Sequence, residues 1–182
     1  PKRNVVFVLQ PAEELDGGAR YIVGSGVLRK LNVTCAFGIH LWPELTKGEI
    51  FSKSGAMMAK SSETDIVLRG KASHIAGDIS AAAEEVSEKY GVTAEINMGE
   101  GYPPVINDGK LFDMVRAVCD VKILPDAVMQ AEDFSFYARV CPTVFFFLGL
   151  GSGMKLHSEK FDFDMSVLDV GVNLYKQLIS SL

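Results

Sequence analysis

The sequence predicts an α/β fold, with a parallel or mixed sheet flanked by helices and a smaller α+β module inserted in it. Three observations carry that expectation. Val5-Val6-Phe7-Val8-Leu9, Val33-Thr34-Cys35-Ala36-Phe37 and Val144-Phe145-Phe146-Phe147-Leu148 are continuous apolar runs, the pattern of strands covered on both faces. Helical patterns lie between and after them. The middle of the chain instead alternates polar and apolar residues, as half-exposed strands do.

In chain order, the run at 5–9 is the first buried strand. Ala19 to Val23 is a short helix, with Gly24 placed to end it in the left-handed conformation. The run at 33–37 is the second buried strand. Glu63 to Arg69 alternates, Ala81 to Tyr90 is a helix stopped by Gly91, and Thr93 to Met98 alternates again. Pro103-Pro104 marks the return to the main domain. Asp113 to Cys119 and Ala131 to Val140 are shorter helical pieces, and the run at 144–148 is the third buried strand. Met165, Leu168, Val172, Tyr175, Ile179 and Leu182 recur every three or four residues, a helix that Asp164 is placed to cap. The expected boundaries are 1–55 and 102–182 for the main domain and 56–101 for the inserted module.

Composition narrows the function. The 182 residues are 48% hydrophobic and 23% charged, with 18 basic against 23 acidic residues, a net charge of −5. That balance excludes a nucleic-acid groove and a membrane-surface helix, which need clustered Lys and Arg. No apolar run approaches the roughly 20 residues that span a bilayer. Pro1-Lys2-Arg3-Asn4 leads straight into the first strand, neither a signal peptide nor a clean domain start. Cys35, Cys119 and Cys141 form no CxxC pair, which fits free thiols in a reducing, cytoplasmic setting.

The chemistry-bearing residues follow strands. His40, His74 and His157 are the only histidines. His40 follows the second run through Gly38-Ile39, and His157 follows the third through the Gly-rich turn Gly149 to Gly153. Glu13-Glu14 follows the first run through Gln10-Pro11-Ala12. In open α/β sheets, sites form beyond the carboxyl ends of strands. With no HExxH signature, a metal site would be assembled from these distant segments. Glu13-Glu14 is either a solvated turn or a working pair. In an extended segment the two side chains point apart, so one carboxylate can bind a metal while the other takes a proton from the attacking water. His74, in Gly70-Lys71-Ala72-Ser73-His74, is either a solvated loop residue or a donor reaching toward the site. Glu132-Asp133 is either a helix cap or a lining of the site. Met57-Met58 and Phe145 to Phe147 belong to the core.

Together these motifs resemble the zinc-dependent aminoacylase/carboxypeptidase family. Val6-Phe7-Val8-Leu9-Gln10-Pro11-Ala12-Glu13-Glu14, Gly38-Ile39-His40-Leu41-Trp42-Pro43, Gly70 to His74, Ala131-Glu132-Asp133-Phe134-Ser135 and Leu156-His157-Ser158 carry the resemblance, in order and over nearly the whole chain. It is closest to the amidohydrolase branch: hippurate hydrolases, N-acyl-amino-acid amidohydrolases, N-acetyldiaminopimelate deacetylases and plant auxin-conjugate hydrolases. The resemblance implies a zinc-peptidase-like three-layer catalytic domain with an inserted α+β lid that dimerises, here largely missing. It implies Glu13 as general base and Glu14, His40 and His157 as ligands in a site for two divalent ions (zinc, manganese, cobalt or nickel). It implies His74 as the lid histidine that polarises the substrate carbonyl, commonly in the partner subunit of a homodimer. The expected activity is hydrolysis of the amide bond of N-acylated amino acids or small peptides, with neither nucleic acid nor membrane as partner. Alternatives are a metallo-exopeptidase or diaminopimelate-pathway deacylase, and a non-catalytic relative that binds an amino-acid derivative. The family's upstream Cys-Gly-His-Asp-Gly-His segment and most of its lid have no counterpart. The chain is therefore expected to be an incomplete record of a longer protein; a backbone break between Ala76 and Ser80 would mean residues left out there, and a continuous backbone with the face beside Val5 to Leu9 covered would mean a genuinely short protein.

Overall fold

The computed structural model describes residues 4–15, 17–69, 81–91, 93–99 and 101–181. In chain order the elements are α1 (Gly18–Gly24), α2 (Val27–Lys30), β1 (Ala36–Trp42), β2 (Ile50–Ser52), β3 (Gly55–Met58), β4 (Glu63–Arg69), α3 (Ala81–Tyr90), β5 (Thr93–Gly99), β6 (Val105–Asn107), α4 (Gly109–Val118), β7 (Lys122–Ile123), β8 (Thr143–Gly149) and α5 (Leu168–Ser181). Two 3-10 helices, Asp133–Arg139 and Met165–Val167, complete them. They group into two compact units. Pro1–Lys60 and Tyr102–Leu182 form one, and Ser61–Gly101 the other.

The larger unit is built on a four-stranded sheet in the order β1-β8-β2-β7. β1 and β8 are parallel over their full length, from Ala36↔Thr143 to Trp42↔Gly149. β2 runs antiparallel to β8 and parallel to β7. β8 is buried at every residue, which is why its sequence is apolar without alternation. Its odd and even side chains enter different cores. Val144, Phe146 and Leu148 pack with Leu111, Phe112 and Val115 of α4 and Leu174 and Leu178 of α5. Phe145 and Phe147 pack with Ala19 and Val23 of α1, Met57 and Met58 of β3, and Phe134, Phe136 and Tyr137 of the first 3-10 helix. The result is helix, sheet and helix in three layers.

A buried polar knot holds the strands in register. The Ser52 hydroxyl donates to the Phe145 carbonyl at 2.6 Å, and the Phe145 amide donates to Asn107 Oδ1 at 2.8 Å. Asn107 Nδ2 donates in turn to Ser52 Oγ at 3.0 Å. Each buried polar atom there has a partner, without which it would destabilise the core. The smaller unit pairs β4 with β5 antiparallel, from Glu63↔Gly99 to Arg69↔Thr93, with α3 against β5. Gly91, at φ +60°, stops α3 as expected.

Several expectations need correction. Val5 to Leu9 is not a buried strand: it has no regular structure, and Phe7 and Leu9 are 81% and 94% exposed. An apolar run becomes a strand only beside another strand, and no described residue pairs with it. The second run is shifted: β1 starts at Ala36 and continues through His40 to Trp42, so His40 lies within the strand. Ala131 to Val140 forms a 3-10 helix from Asp133 to Arg139. The left-handed residue after α1 is Gly26, at φ +73°, rather than Gly24.

The C-terminal helix forms as expected, entered through Asp164, whose side chain accepts from the Ser166 amide at 2.9 Å. Lys47 Nζ donates to the same carboxylate at 2.6 Å. The face the helix buries is Gly171, Leu174 and Leu178, offset from the expected stripe, of which Met165, Leu168 and Val172 are exposed. No helix among the described residues is long and apolar enough to cross a membrane. Cys35, Cys119 and Cys141 are free thiols. His74 and the stretch from Ala76 to Ser80 lie outside the described residues.

Candidate metal and catalytic site

The segment after the exposed apolar run folds back on itself. Ala12 takes φ +58°, and its carbonyl accepts the amides of Gly17 (3.1 Å) and Gly18 (3.2 Å). Glu13 and Glu14 therefore sit in a turn, not in an extended segment as expected. Their side chains still diverge: Glu13 is half-buried, and Glu14 is exposed. The turn needs its glycines. A Cβ on Gly18 would stand 1.8 Å from the Pro11 carbonyl oxygen, and one on Gly17 would stand 2.8 Å from the Tyr102 ring. The Tyr102 hydroxyl donates to the Glu13 carbonyl at 2.5 Å and lies 3.3 Å from that of Leu15.

Glu14 Oε1 lies 3.6 Å from His157 Nδ1. His157 stands in the loop after β8 with a left-handed backbone, φ +63°, a conformation rare for a residue with a Cβ and common at functional sites. His40, half-buried on β1, places Nδ1 2.6 Å from the Leu41 carbonyl. A carbonyl only accepts, so that contact puts the proton on Nδ1 and leaves the lone pair on Nε2. Its ring also meets Trp42 edge-on at 6.2 Å.

Glu13 joins these groups electrostatically. Its carboxyl is pushed above the usual range by burial first, then by the charges of Asp133 and Glu14, while His40 and His157 pull the other way. Glu13, Glu14, His40 and His157 thus share one neighbourhood. The tightest cluster of ligand-type atoms among the described residues is a different one: Glu13, Glu132 and Asp133, within 4.8 Å of one another. Glu132 has the capping role that the sequence offered, and it also stands beside Glu13. Its side chain accepts from the Phe134 amide at 3.2 Å as the cap of the 3-10 helix, and it borders Glu13. Burial, and then Glu13, push its carboxyl up to about 8.

Sequence reasoning missed Gln10, Tyr102 and Tyr137. Gln10 Nε2 donates to both Asp133 oxygens, at 2.8 and 2.7 Å, and the Tyr137 hydroxyl donates to Gln10 Oε1 at 2.7 Å. No local pattern marks such residues, since their partners are 87 to 127 positions away.

A three-layer α/β domain with acids and imidazoles gathered toward the carboxyl ends of its parallel pair is a framework that metal-dependent peptidases use. The model of peptidase family M20/M25/M40 matches residues 1–181, and the chain belongs to that family. An uncharacterised hydrolase of Staphylococcus saprophyticus is 24% identical over 260 positions, covering 98% of this chain and 68% of the relative. That span exceeds the 182 residues here, so the relative carries residues inside the matched region that this chain lacks. An uncharacterised hydrolase of Staphylococcus aureus USA300 is 26% identical with the same coverage. Among solved structures, the Bacillus subtilis YxeP protein, described as a dinuclear metal-binding peptidase of the M20 family, superposes with a TM-score of 0.71 at 22% identity. It is matched over 95% of this chain and 64% of its own. A putative aminohydrolase from methicillin-resistant S. aureus superposes at 0.66 with 16% identity, over 93% of this chain and 64% of its own. The chain thus spans about two thirds of the proteins it matches.

Proposed function

We propose that the protein hydrolyses the amide bond of N-acylated amino acids or small peptides, with Glu14, His40 and His157 holding a divalent metal ion and Glu13 as general base. The observation that carries this reading is the spacing of Glu14 and His157. Two ligands about 2.1 Å from one tetrahedral ion stand about 3.4 Å apart, and Oε1 and Nδ1 stand at 3.6 Å. The Nδ1 contact of His40 orients that ring as a ligand is oriented in metal sites. The donor set of carboxylate and imidazole suits zinc, manganese, cobalt or nickel. Two ions per site are the expectation, in keeping with the dinuclear description of YxeP.

A bound ion supplies a Lewis acid that acidifies water and polarises the carbonyl. Glu13 does the proton work. Half-buried, with its proton affinity raised, it takes a proton from the attacking water and returns it to the leaving amine. Glu14, one residue on, is exposed, lies 3.6 Å from His157 and is kept for the ion. His74 is assigned the polarising of the substrate carbonyl, acting in the partner subunit of a homodimer.

In the whole protein, Glu13→Gln should keep its metal, measured by elemental analysis, and lose roughly 10²–10⁴-fold in turnover. Unreduced turnover with metal in place would remove Glu13 from that role.

A further inference from the structure

Asp133 is a buried charge that the roles above do not use. It is 1% exposed, and N–H donors meet its carboxylate. Gln10 Nε2 reaches both oxygens, and the Ala19 amide reaches Oδ2 at 3.0 Å. Gln10 and Ala19 are the two stems of the segment from Pro11 to Gly18, which carries Glu13 and Glu14. One carboxylate thus grips both ends of that segment. Ala12 closes it from inside through the Gly17 and Gly18 amides. Tyr137 completes the grip: its hydroxyl donates to Gln10 Oε1, which turns the amide so that Nε2 faces Asp133.

We infer that Asp133 is a positioning residue: it clasps the base of the Pro11 to Gly18 loop, fixing where Glu13 and Glu14 stand, and is not itself a metal ligand. The inference rests on the roles proposed for Glu13 and Glu14. Asp133 lies beside Glu13 and Glu132, but its two oxygens already receive the Gln10 and Ala19 donors, and drawing them to an ion would release both stems. Charge-assisted hydrogen bonds of this kind are the strong ones, and groups that orient ligands from behind tune metal affinity.

The test uses the full chain, with amide hydrogen exchange read without metal and Co²⁺ binding read by titration and visible absorption. Asp133→Asn keeps the shape but presents an NH₂ to the Gln10 NH₂. It should speed exchange of the Gly17, Gly18 and Ala19 amides roughly ten- to a hundredfold and weaken Co²⁺ binding roughly 10–100-fold. Adding Gln10→Glu reverses the pair, again matches donor to acceptor, and should bring both readouts back toward the unaltered chain. Unchanged exchange in Asp133→Asn would overturn the inference. Acceleration shared equally by the β8 amides would also overturn it, because that is general destabilisation. Lost Co²⁺ binding that the reversed pair does not regain would overturn it too, by making Asp133 a ligand. If Asp133→Asn does not fold, Tyr137→Phe is read instead: faster exchange at the same three amides supports the clasp, and unchanged exchange overturns it. Absence of Co²⁺ binding by the unaltered chain counts against the metal reading, and metal-free exchange then decides the clasp.

Discussion

Glu132 shows how one side chain can serve the fold and sit at the site. As a cap it accepts the Phe134 amide. As a neighbour of Glu13 it is 7% exposed, with its carboxyl pushed up to about 8 from the ordinary 4.5. The sign of the consequence follows. A carboxyl whose folded value is raised stays protonated in the fold while the unfolded chain ionises, so its stability contribution is full below about 4.5 and is lost as pH rises toward about 8. Thermal melts in chelator should show the melting temperature falling across that window, and Glu132→Gln, neutral throughout, should flatten the fall. An unchanged pH slope in the variant would mean that Glu132 is not the titrating group. Glu13 and His157 were legible in the sequence as candidates, flagged by motif. Gln10 and Tyr102 were not, because what they do is defined only by the partners folding brings to them.

Elements were legible where their own residues decide them. α5 follows from its helical period, although the face it buries is that of Gly171, Leu174 and Leu178 and not the expected stripe. β8 follows from its apolar run, since it is covered on both faces. Val5 to Leu9 reads the same way but is exposed, because a strand depends on pairing that the run cannot encode. The 3-10 helix at Asp133–Arg139 depends on a close approach that the sequence marks only by a glycine. A Cβ on Gly38 of β1 would stand 2.7 Å from Phe145 and 2.8 Å from Phe134. Phe134 meets Phe145 there with ring centroids 4.9 Å apart and the planes tilted by 40°. Gly38→Ala should destabilise the fold by about 1–3 kcal/mol, as overpacking of a tight core does, and push on the helix that carries Glu132 and Asp133. Chemical denaturation measures it, and a variant as stable as the unaltered protein would show that the strand and helix can part without cost.

At the scale of the molecule, the larger unit brings together three segments distant in sequence: the turn after Gln10, strand β1 and the loop after β8. They bring Glu14 to His157 and set Glu13 within the field of both histidines. Family membership fixes the framework; the assignment of ligands and base is ours, and it stands or falls on metal binding. The most direct measurement is a Co²⁺ titration of the unaltered protein beside Glu14→Gln, His40→Ala and His157→Ala, each checked for folding by circular dichroism. The account predicts that each substitution weakens binding by roughly tenfold or more and alters the visible spectrum of the bound ion. Three folded variants that bind Co²⁺ as tightly as the unaltered protein would contradict it.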